Sequence, residues 1–206
     1  MVIWSKIWRD LWENKARTFQ AITVIAIGTL AIGAIWGGRQ FITDDLATSW
    51  QASSPANIAW NVDPAVDQAT LESLEKIEGI DVVQGEMSEP IKWRLDPNKP
   101  WQNTTLIGSD EFAERELRQW TLLEGSWPER DEVAVQSDRG VAVGDTIYLE
   151  INEKIYEIVV SGLVDDAASV PSLFNPNPNF YITDTRFEAL LGEANFDTVY
   201  ATITDY

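Results

Sequence analysis

The chain is predicted to be an α+β protein in which an N-terminal interfacial helix and one transmembrane helix precede a two-lobed extracytoplasmic α+β domain. Three observations lead there. Residues Phe19 to Gly38 carry no charge. A hydrocarbon core of about 30 Å crossed at about 1.5 Å per residue needs roughly that many helical residues. The 18 residues before it hold four basic and two acidic side chains, whereas the remainder holds eleven basic and thirty-one acidic ones. After the span, short alternating segments bounded by Gly, Pro and Asn are interleaved with two helical stripes.

In order, Ile3, Trp4, Ile7, Trp8, Leu11 and Trp12 follow helical spacing, with Ser5, Lys6, Arg9, Asp10 and Glu13 on the opposite face. Trp at every fourth residue suits a headgroup layer, where an indole buries its ring and keeps its N–H satisfied. The leader therefore reads as a helix lying in the inner membrane interface, with Trp4, Trp8 and Trp12 as its buried face and Lys15 and Arg17 at its basic end. The same face would also suit a protein partner at the membrane surface. Basic residues flanking a span set its orientation, which places the N-terminus in the cytoplasm and the chain after Phe41 outside. A secretory signal peptide has a shorter apolar run ending at small residues, but here Ile35 and Trp36 lie near the end. Trp36 is assigned to the outer interface. Thr29, Gly33 and Gly37 recur at i, i+4 and i+8, a ridge of small residues on which a second membrane helix could pack closely.

Residues 41–54 continue helically until Pro55. Asn57–Val62 alternates as a strand, Asp63 with Pro64 is expected to open a helix, and Val66, Leu71, Leu74 and Ile77 form its stripe as far as Gly79. Ile80–Val83, Pro90–Leu95 and Thr104–Ile107 read as separate strands, and Glu111–Trp120 as a short helix. Strands follow at Glu132–Val135, Thr146–Ile151 and Ile155–Leu163, the last two joined by a turn at residues 152–154. After the Pro- and Asn-rich loop 171–179 come a strand at Phe180–Ile182, a helix at Asp184–Leu191, Gly192 and a strand at Thr198–Thr204. Two β-α-β segments, about 55–110 and 179–206, thus bracket a β-rich lobe at about 111–178.

Composition removes many chemistries. The sequence has no Cys and no His, so disulfides, thiol catalysis, Ser-His-Asp catalysis and the common zinc sites are excluded. A net charge of −18 argues against nucleic acid. The paired carboxylates Asp44–Asp45 and Asp165–Asp166 read as solvated surface acid, because neighbouring residues point different ways and no third ligand stands at calcium-loop spacing. There is no GxxxxGK[ST], hence no P-loop. Of the ten Trp, Trp60, Trp93, Trp101, Trp120 and Trp127 are expected to pack in the core rather than to form a sugar platform, and Trp50 has no assignment. No catalytic residue, cofactor or metal site is expected.

Four segments resemble one family. Leu11-Trp12-Glu13-Asn14-Lys15-Ala16-Arg17-Thr18 resembles the pre-membrane segment of FtsX/MacB-type permeases of ABC transporters. Glu78-Gly79-Ile80-Asp81-Val82 is similar to their turn after the first external helix, with Glu78 where Pro is usual. Leu123-Glu124-Gly125-Ser126-Trp127-Pro128 and Val143-Gly144-Asp145-Thr146-Ile147 resemble a turn and a strand start of the MacB-like periplasmic core domain. The expected roles are structural: Gly125 and Gly144 provide permissive backbone, and Asp145 accepts a backbone hydrogen bond. The resemblance implies a permease subunit in the cell membrane that pairs with a second permease subunit, is driven by a separate cytoplasmic ATPase and meets an extracytoplasmic partner protein. Such permeases carry further spans, so the chain is expected to be a shortened form. The alternative is a single-span anchored binding or scaffold protein without transport.

Overall fold

The computed structural model describes residues 12, 14–40, 46–137, 140–169, 175 and 177–204. The chain divides into two compact units, Met1–Thr48 and Ser49–Tyr206. Within the first, α1 (Lys15–Gln40) is one continuous helix. Within Lys15–Arg39 the most apolar 18 residues have a mean hydropathy of 1.9, so the helix is long and apolar enough to cross a membrane. A second helix, α2 (Leu46–Ala52), crosses the boundary between the units.

The second unit contains β1 (Ile58–Val66), α3 (Gln68–Leu74), β2 (Ile80–Arg94), β3 (Gln102–Gly108), β4 (Thr121–Gly125), β5 (Glu132–Gln136), β6 (Thr146–Ile151), β7 (Lys154–Asp165), β8 (Asn179–Ile182), α4 (Asp184–Leu191) and β9 (Phe196–Ile203). Helices and a mixed sheet in one unit confirm the α+β class. The strands pair in the order β1-β9-β2-β3-β8-β5-β7-β4, and β6 bridges β2 and β7. Consequently β2, β3, β8, β5, β7 and β6 hydrogen-bond into a closed ring. Closure removes the exposed sheet edges that those six strands would otherwise present.

Side-chain alternation sorts the core. Leu106, Val133, Val135, Phe180 and Ile182 point to one side of β3, β5 and β8 and join Ile147, Leu149, Ile158, Trp93 and the α4 residues Phe187 and Leu190. Ile107, Ala134 and Tyr181, one residue out of step, point to the other side and pack with Phe112, Trp120 and Val164. A third cluster, Leu71, Val83, Val199 and Ala201, seats α3 on the three-stranded sheet β1-β9-β2.

Local signals set several boundaries as expected. β6 and β7 are joined by Asn152 and Glu153, both at positive φ, which suits a two-residue hairpin. The side chain of Thr183 accepts the Arg186 N–H to start α4, and Gly192 at φ 91° ends it.

Four expectations need correction. Asp63 does not open a helix. β1 runs through Pro64 to Val66, which pairs with Phe196, and the cap is Asp67, whose carboxylate accepts the Thr70 N–H at 2.9 Å. Ile80–Val83 and Pro90–Leu95 are one strand. Pro90 is tolerated because its only ladder partner is Thr105 on β3, pairing with β9 having ended at Glu86 and pairing with β6 starting at Lys92. Residues 111–120 are turns rather than helix, since their backbone donors are used elsewhere: Leu117 N–H by Gln84, Arg118 N–H by Ser54 and Gln119 N–H by Ser53. Leu123–Gly125, the start of the turn expected at Leu123–Pro128, instead belong to a strand, β4 (Thr121–Gly125). There Gly125, at φ 80°, lies so close to β7 that a Cβ would collide with the Ser161 carbonyl oxygen.

Candidate functional site

The residues singled out in the sequence fall on the first unit. Trp4 and Trp8 lie outside the described residues. Trp12 is exposed, with the Lys15 ammonium 5.0 Å from its ring centroid. Arg17 and Trp36 are exposed on α1. Thr29, Gly33 and Gly37 share one helical ridge. The Thr29 hydroxyl donates back to the Ile25 carbonyl at 2.9 Å, and a Cβ at Gly33 or Gly37 would meet nothing within 4 Å. The ridge is therefore free of contact among the described residues.

The second unit carries a feature that sequence reading missed. On the sheet face opposite α3, Gln84 and Glu86 of β2 stand beside Tyr200 of β9. The segment after β3 covers them and brings two arginines. Arg115 Nη2 lies 3.1 Å from Glu86 Oε2, and Arg118 Nη1 lies 3.2 Å from Oε1. Arg118 also donates to the Tyr200 hydroxyl, which donates to Glu86 Oε1 at 3.2 Å. The Arg115 guanidinium sits 3.8 Å from the Trp120 ring centroid, and Trp120 packs 4.6 Å from Tyr181.

From Tyr181 the network reaches a second acid. Its hydroxyl donates to Asp166 Oδ2 at 3.0 Å, and the Ala168 N–H donates to Oδ1 at 3.0 Å. Asp166 is 4% exposed, which overturns the reading of Asp165–Asp166 as solvated acid. Asp165 does face solvent, so the pair points in opposite directions as strand geometry requires. Two acids, Glu86 and Asp166, stand against two guanidinium groups, Arg115 and Arg118, the matching under which burial of such groups is tolerable.

Their environments shift their titration in different directions. Burial lowers Arg115, against the pull of Glu86. Burial also opposes the charge on Arg118, but Glu86, Tyr200 and Asp166 together outweigh it and raise its pKa. Asp166 is raised by burial, with Arg118 and the Tyr181 hydrogen bond opposing. Burial and the Asp166 charge push Tyr181 well up.

Beside this network a groove of about 750 Å³ is lined by Glu75, Asp81, Asp110, Glu111, Glu114, Glu116 and Asp184, among others. Burial and the neighbouring Asp110 push Asp184 up to about 6. Among the described residues no three acidic side chains converge as a metal site would require.

The Trp residues split. Trp93 and Trp120 are buried, and Trp127 stacks on Phe112 at 5.2 Å. Trp101 is half-buried beneath Arg94, whereas Trp60 on the edge strand β1 is 41% exposed and so departs from the expected core role.

Gly79 and Gly144 lie at the turn and the strand start that the resemblance assigns, whereas Gly125 falls in a strand. Gly79, at φ 95°, turns the chain from α3 into β2, Gly125 closes β4, and Gly144, at φ 89°, precedes β6. The Asp145 carboxylate accepts the Ala142 N–H at 2.8 Å.

No family model matches the chain, and no curated protein matches it. Solved structures do. The crystal structure of the periplasmic region of MacB from Actinobacillus actinomycetemcomitans is 15% identical, covering 68% of this chain and 65% of that one, with a TM-score of 0.47. The extracellular domain of the noncanonic ABC-type transporter YknZ from Gram-positive bacteria is 9% identical, covering 74% and 81%, with a TM-score of 0.49. This chain thus spans just under two thirds of the MacB region.

Proposed function

We propose that the chain is a permease subunit of an ABC transporter of the FtsX/MacB type. Residues 1–18 form a cytoplasmic interfacial helix, 19–38 the first span and 39–206 an extracytoplasmic core domain. The observation that carries this reading is the placement of the family-like turns: Gly79, Gly125 and Gly144 all sit at positive φ at the element boundaries where such a domain would need them, downstream of an apolar helix. In this role the subunit pairs with a second permease subunit. A separate cytoplasmic ATPase acts on the Trp4, Trp8 and Trp12 helix, and its motion passes along the span to the external domain for export or mechanotransmission. Thr29, Gly33 and Gly37 form the packing ridge, while Lys15, Arg17 and Trp36 fix the depth of the span.

The test is a photo-crosslinking residue at Trp8 in native membranes. The expected product joins this chain to a subunit carrying a GxxxxGK[ST] P-loop, identified by mass spectrometry. Crosslinks to lipid alone would overturn the coupling, and labelling of a Cys placed at Ser5 by an impermeant maleimide on intact cells would overturn the orientation.

A further inference from the structure

Two residues of the second unit that are not glycine hold left-handed backbone and face each other. Ser54 has φ 53° and Arg118 has φ 52°. Such conformations are unfavourable for residues with a side chain and persist where surrounding contacts over-determine them. Here those contacts are visible. The Arg118 N–H donates to the Ser54 carbonyl at 2.9 Å and the Gln119 N–H to the Ser53 carbonyl at 2.8 Å, so two main-chain bonds tie the chain just before Pro55 to the segment 117–119. The Arg118 side chain then fastens that segment to two adjacent strands of the sheet, to Glu86 on β2 and Tyr200 on β9.

We propose that Arg118 is the positioning residue of a clasp that fixes the path of Ser53 and Ser54 against the sheet of the second unit. The geometry suits a clasp better than a general packing contact. Hydrogen bonds and ion pairs are directional, whereas apolar burial is not, and Ser53 and Ser54 are held by directional bonds to 118 and 119. Ser53 is 5% exposed, so its carbonyl has little recourse to water if the bond is lost. The guanidinium ties the covering segment to β2 and β9 together, and removing it leaves the two main-chain bonds without a fixed base. The clasp deepens the proposed function, since it is where motion from the span would enter the sheet. Its existence is testable without nucleotide or ATPase, so the two readings can fail separately.

The chain has no Cys, which permits spin labels at chosen sites. In the full chain in membranes, one pair at Gln51→Cys and Lys154→Cys reports the tether against the barrel. A control pair at Lys154→Cys and Glu188→Cys reports the barrel alone. All three positions are exposed. Electron-electron double resonance should give one narrow distance for each pair. Arg118→Met should abolish the narrow peak of the tether pair and leave the control pair narrow. Tyr200→Phe, which removes one hydroxyl, should broaden the tether pair to a lesser degree. A tether distance that stays narrow in Arg118→Met overturns the clasp. If that variant broadens the control pair too, the decision rests on Tyr200→Phe, where an unchanged tether distance overturns the clasp and a broadened one supports it.

Discussion

Replacing Glu86 by Gln keeps the size of the side chain and removes its charge. In the native network Glu86 is the direct ion-pair partner of Arg115 and Arg118, and the side-chain exposures are 7% for Glu86, 1% for Arg115 and 14% for Arg118. Neutralising Glu86 leaves two buried guanidinium groups with only Asp166 to oppose them. Removing one member of a buried ion pair typically costs about 3–5 kcal/mol, because the surviving charge stays desolvated. A domain of this size loses roughly 2–4 °C of Tm per kcal/mol, so the expected fall is on the order of 6–20 °C. The assay is thermal unfolding of the full chain in detergent, followed by Trp fluorescence and near-ultraviolet circular dichroism.

A matched control makes the result decisive. Glu150→Gln performs the same chemical change on the Lys92–Glu150 bridge, which has a similar distance of 2.9 Å but side-chain exposures of 53% and 27%. Water screens that pair, and its loss should cost no more than about 1 kcal/mol. The ratio between the two shifts therefore measures burial, not hydrogen-bond length. A second control, Glu86→Gln with Arg115→Met, restores one charge per side and should recover at least about 1 kcal/mol of the loss, as coupled neighbours do. Equal shifts for Glu86→Gln and Glu150→Gln, or no recovery in the double variant, would refute the claim that the node is held by balanced buried charge.

Two other outcomes follow from the same geometry. The folded-state pKa of Asp184, about 6, lies above the 3.8 of an unperturbed Asp, so the native state binds the extra proton between those limits, and stability falls as pH rises through that window. The full linkage would be about 3 kcal/mol, and discounting for the solvent that reaches this partly exposed group leaves on the order of 1 kcal/mol. Asp184→Asn should therefore raise Tm at pH 7.5 and flatten the pH 4–7 slope, as read by thermal melts across that range, while an unchanged slope would count against the shift. Gly125→Ala adds a Cβ at φ 80° against the Ser161 carbonyl of β7. It should cost at least about 2 kcal/mol by denaturant titration, combining left-handed strain with overpacking, and a near-neutral result would mean that β4 can lift from β7 freely.

What the sequence disclosed of the fold was local. The helix Asp184–Leu191 carries its own cap residues at both ends, and the hairpin at Asn152 and Glu153 is set by two consecutive residues. Gly79 and Gly144 could be placed from motif order because each answers a backbone requirement at its own position. The misread elements depended on distant partners. Glu111–Trp120 has helical composition, yet its donors are taken by Ser53, Ser54 and Gln84, more than thirty residues away. Asp63 and Asp67 are both plausible caps, and what decides for Asp67 is the pairing of Val66 with Phe196 across the sheet.

The buried network was illegible for a related reason. Along β2, Val83 and Gly85 alternate with Gln84 and Glu86, a pattern that in isolation describes a strand with one apolar and one wet face. The apolar face does meet α3, through Leu71 and Val83. The polar face is not wet, because residues 109–120 cover it and supply Arg115 and Arg118 as counter-charges. Sequence alternation records side-chain chemistry and cannot record what is laid over it later in the chain. This division assigns different work to the two faces of one small sheet. Burial of Leu71, Val83, Val199 and Ala201 stabilises the sheet without specifying direction. The opposite face, with fixed acceptors on Glu86 and fixed donors on two arginines, tolerates one arrangement of the covering segment and hence one path for Ser53 and Ser54. Directional bonds fix a path where apolar burial does not, and Ser53 and Ser54 are tied by such bonds to the segment that covers the second kind of surface.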